Sequence, residues 1–186
     1  MEKYIITVLG KDRPGIIAAL SKSLFELDCN LENVNQMSWQ NEFAGFFVIQ
    51  ASETLNCQAL QDELEKRLQG ESLHIHIKKL ETTSNSTTND PEQGEFFIIS
   101  TIGPDQKGLV AGISQIIAGH NANIINLQAV FKGGEEPGDN VMCYEVFIDP
   151  GVDRKALFSA LKEKALELNL DIRIQHKNIF NTVNRI

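Results

Sequence analysis

The chain repeats itself, and that feature restricts its architecture more than any local propensity does. A shift of 93 residues lays residues 5–38 over 98–131 without a gap, so that Gly10 falls on Gly103, Asp12 on Asp105, Gly15 on Gly108, Asn30 on Asn123 and Asn33 on Asn126. Glycine and Asx residues mark backbone positions with special geometry, and their coincidence is hard to obtain by chance. Further along the shift grows to 97, which puts Leu73–Ile77 over Leu170–Ile174. The extra residues belong to the glycine-rich stretch 133–139, a turn-rich surface loop carrying Glu135 and Glu136 that suits docking. Residues 82–94 are polar, lack apolar periodicity and contain Pro91, as a linker does. The expected organisation is a first module over 1–81, the linker over 82–94, a second module over 95–177 and a tail over 178–186.

Each module reads as βαββαβ. Tyr4 to Leu9 is a strand by composition, and Gly10-Lys11-Asp12-Arg13 reads as a turn with Pro14 in the first helical turn. Ile16, Leu20, Leu24 and Leu27 then recur at helical spacing. Residues 31–39 and 43–51 read as a hairpin, and Leu60, Leu64 and Leu68 mark a second helix ending near Gly70. Residues 73–78 alternate apolar with polar. The second half repeats the order, with strands near 96–102, 124–131, 141–148 and 170–176 and helices near 108–120 and 153–168. This predicts the α+β class: two tandem ferredoxin-like units, each an antiparallel sheet with both helices on one face.

Composition narrows the function. Lys and Arg number 17 against 25 Asp and Glu, a net charge of −8, which lacks the dense cationic surface that phosphate backbones require. Direct nucleic-acid binding is therefore not expected. No run is long enough to span a bilayer and no cleavage-site pattern follows Met1, so a cytoplasmic location without membrane contact is expected. Cys29, Cys57 and Cys143 form neither an even framework nor a CxxC pair and read as reduced, buried thiols. No GxSxG, P-loop, HExxH or nucleophile–base spacing is present, which argues for a non-enzyme without cofactor.

The run Gly10-Lys11-Asp12-Arg13-Pro14-Gly15-Ile16, after an apolar strand and followed by Asn30-Leu31 at the next strand start, resembles the ACT domain, a small regulatory amino-acid-binding module. Asp105-Gln106-Lys107-Gly108 repeats it more loosely. A tandem pair without a catalytic domain, with Cys29-Asn30-Leu31 opening the second strand, resembles the glycine cleavage system transcriptional repressor family. That resemblance implies glycine as the ligand, a transcription activator as the protein partner, and repression through protein contact. In serine-binding ACT domains the positions matching Gly10, Asp12 and Asn30 face the ligand across a domain interface; Gly10 departs from that pattern, where a histidine stands, so serine is not implied.

Chemistry offers an independent reason for the same residues. A loop entering a helix N-terminus presents unpaired N–H groups to a carboxylate, and Asp12 beside it suits a ligand ammonium. Asn30, at the far end of the same helix, would reach a ligand held against a neighbouring module. The candidate ligand residues are Gly10, Asp12, Arg13, Pro14, Gly15 and Asn30, with Asp105, Gly108 and Asn123 in the second copy; no metal ligand is expected. Purely structural roles stand beside this: Asp12 as a turn or capping residue, Gly15 for close helix–sheet packing, and Asn30 in a left-handed conformation.

His74 and His76 share a strand face with Lys78 and read as a solvated or interface face rather than a metal pair. Trp39 and Phe43 flank the hairpin turn and read as a local hydrophobic lid. The expected protein is a non-catalytic, homo-oligomeric regulator that senses a small amino acid where ACT modules meet, with their sheets side by side, and signals by protein contact. The alternatives are a ligand-independent assembly protein and a detached regulatory subunit of an amino-acid biosynthetic enzyme.

Overall fold

The computed structural model describes residues 1–81, 94–131 and 140–178. The chain divides into two compact units, Met1–Ser84 and Asn85–Ile186. The linker and the 133–139 loop fall outside the described residues but for residue 94, and so does the tail beyond residue 178.

In the first unit β1 (Glu2–Lys11), α1 (Ile16–Glu26), β2 (Asn30–Trp39), β3 (Glu42–Ala51), α2 (Cys57–Arg67) and β4 (Leu73–Lys79) follow in that order. The sheet order is β2-β3-β1-β4, with every pairing antiparallel. The second unit repeats this as β5 (Glu95–Gly103), α3 (Leu109–Gly119), β6 (Asn123–Phe131), β7 (Asn140–Ile148), α4 (Arg154–Glu167) and β8 (Asp171–His176), in sheet order β6-β7-β5-β8. The predicted ferredoxin-like pair is what the chain forms.

Period-two burial explains the layering. Tyr4, Ile6 and Val8 are buried while their neighbours are partly or fully exposed, so β1 turns one face to the helices. Ile16, Leu20 and Leu24 of α1 and Leu60 and Leu64 of α2 close over that face together with Phe43, Phe47 and Ile49 of β3. The second core matches it with Ile99, Leu109, Ile113, Ile117, Tyr144, Leu157 and Leu161. A fully buried aliphatic side chain contributes about 1.5–3 kcal/mol, and each unit has an apolar core of its own.

The structure corrects three local expectations. β1 runs on through Gly10 and Lys11, which pair with Phe43 and Glu42, so these two residues are strand and not turn. The helix starts at Ile16, after Gly15 at φ +99°, and Pro14 therefore lies outside it. Pro followed by a positive-φ glycine fits the two central positions of a type II turn, which no helical first turn can share. Trp39 stands opposite Glu42 while Ser38 stands opposite Phe43, which sends the two aromatic side chains to opposite faces. Phe43 is core and Trp39 is 62 % exposed, so they form no lid.

Cys29 is buried, and burial pushes its thiol pKa up; Cys57 and Cys143 are only half-buried, and all three are free thiols. Among the described residues no helix is long and apolar enough to cross a membrane, and no group of three or more His, Cys, Asp or Glu is placed to hold a metal.

Candidate functional site

Among the described residues α1 to α4 begin in two different ways. α2 and α4 are capped by side chains: Asn56 accepts from the Ala59 N–H, and Asp153 from those of Lys155 and Ala156. α1 and α3 have Gly15 and Gly108 at the capping position, in the left-handed region at φ +99° and +89°, with no side-chain cap. Glycine has no side chain to answer the first-turn N–H groups, so both helices present open donors and a positive dipole end at the loop after β1 or β5. An added Cβ at either glycine meets nothing within 4 Å. Their role is conformational, and the packing role expected for Gly15 does not hold.

Asp12 follows β1 and is fixed from two sides. Its N–H donates to the Asn41 carbonyl at 2.7 Å, and its Oδ2 accepts from the Ser38 hydroxyl at 2.6 Å. Thus Asp12 caps no helix; β2 holds its carboxylate and the β2–β3 turn its backbone N–H, in the loop that leads into α1. Sequence reading missed Ser38, which lies 26 residues away in the chain, and only the hairpin register brings it here. Arg13 is drawn the other way into an ion pair with Glu71, in the turn before β4. In the second unit Gln106 takes the Arg13 position and donates to the Leu168 carbonyl at 2.6 Å, at the place Glu71 holds in the first. Both loops are therefore tied to the turn before the last strand, by a charge pair in one and an amide in the other.

Gly10 and Gly103 share a tight approach: an added Cβ would stand 2.7 Å from the Leu73 or Leu170 side chain and 2.8 Å from the Ser72 or Asn169 carbonyl. Beside these contacts lie a hollow of about 470 Å³ lined by Gln69, Ser72 and His74 among others, and one of about 530 Å³ lined by Pro104, Asn169 and Asp171 among others. Asp105 sits half-buried in the second loop.

Asn30 opens β2 at the other end of the sheet, opposite Gln50, in extended rather than left-handed backbone; Asp28 carries the positive φ there. Eight strand residues separate Asn30 from Ser38, which places it roughly 26 Å from the Asp12 loop at 3.3 Å per residue. One unit does not bring Asp12 and Asn30 together. Asn123 opens β6 equivalently and lines a hollow of about 300 Å³ with Ser114, Ala118 and Ile124. His74, His76 and Lys78 are exposed together on the sheet face away from the helices.

Two ferredoxin-like units, each with a glycine-started helix behind a tethered loop, define a tandem protein of small α+β modules with a repeated loop. The chain belongs to the ACT domain family, whose profile matches residues 2–78 and 95–135, and that domain is a regulatory, ligand-binding fold. It is 33% identical over 92 residues to a UPF0237 protein of Methanocaldococcus jannaschii, covering 48% of this chain and 96% of the relative. A UPF0237 protein of Clostridium perfringens is 32% identical over 89 residues, covering 48% and 97%. These relatives are the length of one module. Among solved structures, a protein of unknown function from Galdieria sulphuraria superposes with TM-score 0.75 at 20% identity over 94% of this chain and 98% of that one. A protein provisionally described as a glycine cleavage system transcriptional repressor gives 0.70 at 18% identity over 94% and 96%. At these identities the last two establish the shared tandem fold.

Proposed function

We propose that the chain is a non-catalytic regulator in which a small amino acid, glycine first among the candidates, binds where the Asp12 loop of one ACT module meets the Asn30 or Asn123 end of another. The observation that carries this reading is the pairing of an uncapped α1 N-terminus with a carboxylate held by Ser38. The helix end suits the ligand carboxylate and Asp12 suits its ammonium. The separation of Asp12 from Asn30 within one unit requires a second module, in the same chain or in another copy, to complete the site. Ligand then shifts the packing of modules by its differential affinity for the two arrangements.

The output is contact with a protein, with a transcription activator as the partner that the resemblance to the repressor family implies, and control of amino-acid metabolism genes as the result. Leu9, Met37, Trp39 and Phe46 support a protein output: they share the sheet face away from the helices and are 50 to 62 % exposed. Apolar side chains grouped this way mark interaction surfaces.

A thermal-shift screen of the full chain against the twenty amino acids tests the reading, with Asp12→Ala and Asn30→Ala in parallel. A ligand at a hundredfold excess over Kd stabilises by about 2.7 kcal/mol, a readily measured rise in Tm. A rise with one or two small amino acids, absent in both variants, is expected. No rise with any of them refutes the sensor and leaves an assembly protein.

A further inference from the structure

On the sheet face that the first unit turns away from its helices, side chains are sorted by strand. Leu9 on β1, Phe46 on β3 and Met37 and Trp39 on β2 make an exposed apolar field. Along one side of it His74, His76 and Lys78 take three successive outward positions of β4, opposite Leu9, Thr7 and Ile5, and Lys11 continues that side at the end of β1. Asn33 and Asn35 on β2 keep the opposite side uncharged. Among the described residues Lys11 and Lys78 form no ion pair, Lys3 is matched by Glu32 at 2.8 Å, and Glu42 is the carboxylate left beside the field. In a chain of net charge −8, a side that sets these lysines and histidines against one carboxylate stands apart.

The second unit does not repeat this on the same backbone. Cys143, half-buried, stands where Phe46 does, and β8 puts Asp171, Arg173 and Gln175 at the places of His74, His76 and Lys78, where the charges cancel. The fold therefore requires neither the exposed ring nor the basic side, and both belong to the first unit's own sequence. Its apolar positions spread over three strands, so a strand added at the free edge of β4 would leave them uncovered, whereas a helix laid on the face covers them. From Val48 to Glu42 the face runs about 20 Å along β3 at 3.4 Å per residue, the length of a helix of about 13 residues.

We infer that this face docks an acidic amphipathic helix of a partner protein, its apolar stripe on Leu9, Met37, Phe46 and Trp39 and its Glu and Asp side chains along the β4 side. The inference rests on the protein output proposed above and names that partner's chemistry. Charge on one side alone also fixes the direction in which the helix lies, because a reversed helix would set its carboxylates over Asn33 and Asn35. The apolar field supplies the affinity, and the exposed cations supply selection and steering.

The test titrates the full chain with synthetic helical peptides of about 18 residues that lack tryptophan: one with a leucine stripe flanked on one side by glutamates, its twin with lysine for each glutamate, and a scrambled glutamate peptide. Trp39, the single tryptophan, reports contact at the face by a blue shift of its fluorescence. A saturable shift with the glutamate peptide, weakened by salt, and midpoints roughly tenfold weaker for the twin and the scramble are expected. Phe46→Ala should weaken the glutamate peptide, and His76→Glu combined with Lys78→Glu, both exposed, should reverse the preference between the twins. No shift with any peptide overturns the docking face. Equal midpoints for the twins, or a preference the double variant leaves unchanged, overturn the acidic partner. A dimer in sedimentation that Phe46→Glu dissociates assigns the face to a second copy, and tighter binding of single-stranded oligouridine assigns it to nucleic acid; either overturns the inference. The amino-acid thermal screen decides the sensor separately, so failed peptides beside a positive screen remove this inference alone.

Discussion

Replacing Gly15 by alanine isolates the backbone cost of the α1 loop from its contacts. Gly15 lies at φ +99°, ψ −9°, and an added Cβ meets nothing within 4 Å, so the contact contribution is close to zero. An L-residue in left-handed backbone costs about 1–2 kcal/mol. Alanine also restricts the unfolded chain, which returns about 0.4–1 kcal/mol. The balance is a loss of about 0.5–1.5 kcal/mol. Trp39, the single tryptophan, lies in the first unit, and its fluorescence in urea reports that unit's unfolding. With a slope near 1 kcal/mol per molar, the midpoint should fall by about 0.5–1.5 M at unchanged slope. Gly15→Asn should lose less than half as much, because asparagine tolerates the left-handed region. Gly10→Ala makes the contrast: its φ is ordinary, yet its Cβ would press on the Leu73 side chain and the Ser72 carbonyl, a steric cost of about 1–3 kcal/mol. Gly15→Ala as stable as the parent, or Gly15→Asn as damaging as Gly15→Ala, refutes the conformational account of this loop.

Three further outcomes are expected. Leu20, fully buried in α1, should lose 2–5 kcal/mol as Leu20→Ala, a large share of one small unit's stability, measured by the same urea titration. Asn56→Ala and Asp153→Ala, which remove the caps of α2 and α4, should each cost about 1 kcal/mol in thermal unfolding, whereas α1 and α3 have no side-chain cap to lose. Tyr144 is fully buried and burial pushes its pKa from 10.0 up to about 12. The unfolded chain therefore releases this proton first as pH rises, and stability held below pH 10 is lost between pH 10 and 12, by roughly 2–3 kcal/mol in all. Tyr144→Phe should remove most of that alkaline step, seen as a flatter dependence of the urea midpoint on pH.

The repeat made the architecture legible, because matched glycines and Asx residues report backbone geometry, and backbone geometry is what a fold shares. The errors at the first loop have a common origin. Hydrophobicity ends at Leu9, but β1 continues through Gly10 and Lys11 because β3 is there to pair with them, and pairing across the sheet leaves no local signal. Pro14 fits a first helical turn and a type II turn equally well until the conformation of Gly15 is known. Ser38 at Asp12 and Glu71 at Arg13 come from other strands and turns, so no spacing rule within the loop would have found them.

Where the copies disagree, the same alignment becomes informative about function. Across the hairpin of the first unit the helix-side pair is Ser38 with Phe43; in the second it is Phe131 with Asn140. The large and small members have changed strands. In the first unit the edge-strand position carries a hydroxyl that holds Asp12, and the inner position carries the ring that seals the core. In the second the ring stands on the edge strand, 49 % exposed, and the polar amide is inside. A hydroxyl at the edge anchors a loop carboxylate, and in the second unit an amide without a hydrogen-bond partner among the described residues stands inside, so one swap of residue size across one strand pair gives the two modules different chemistry on one backbone. The swap bears on the first loop alone: in an amino-acid titration of the full chain Ser38→Ala should weaken binding at the proposed Asp12 site, and an unchanged midpoint refutes the hydroxyl's role there.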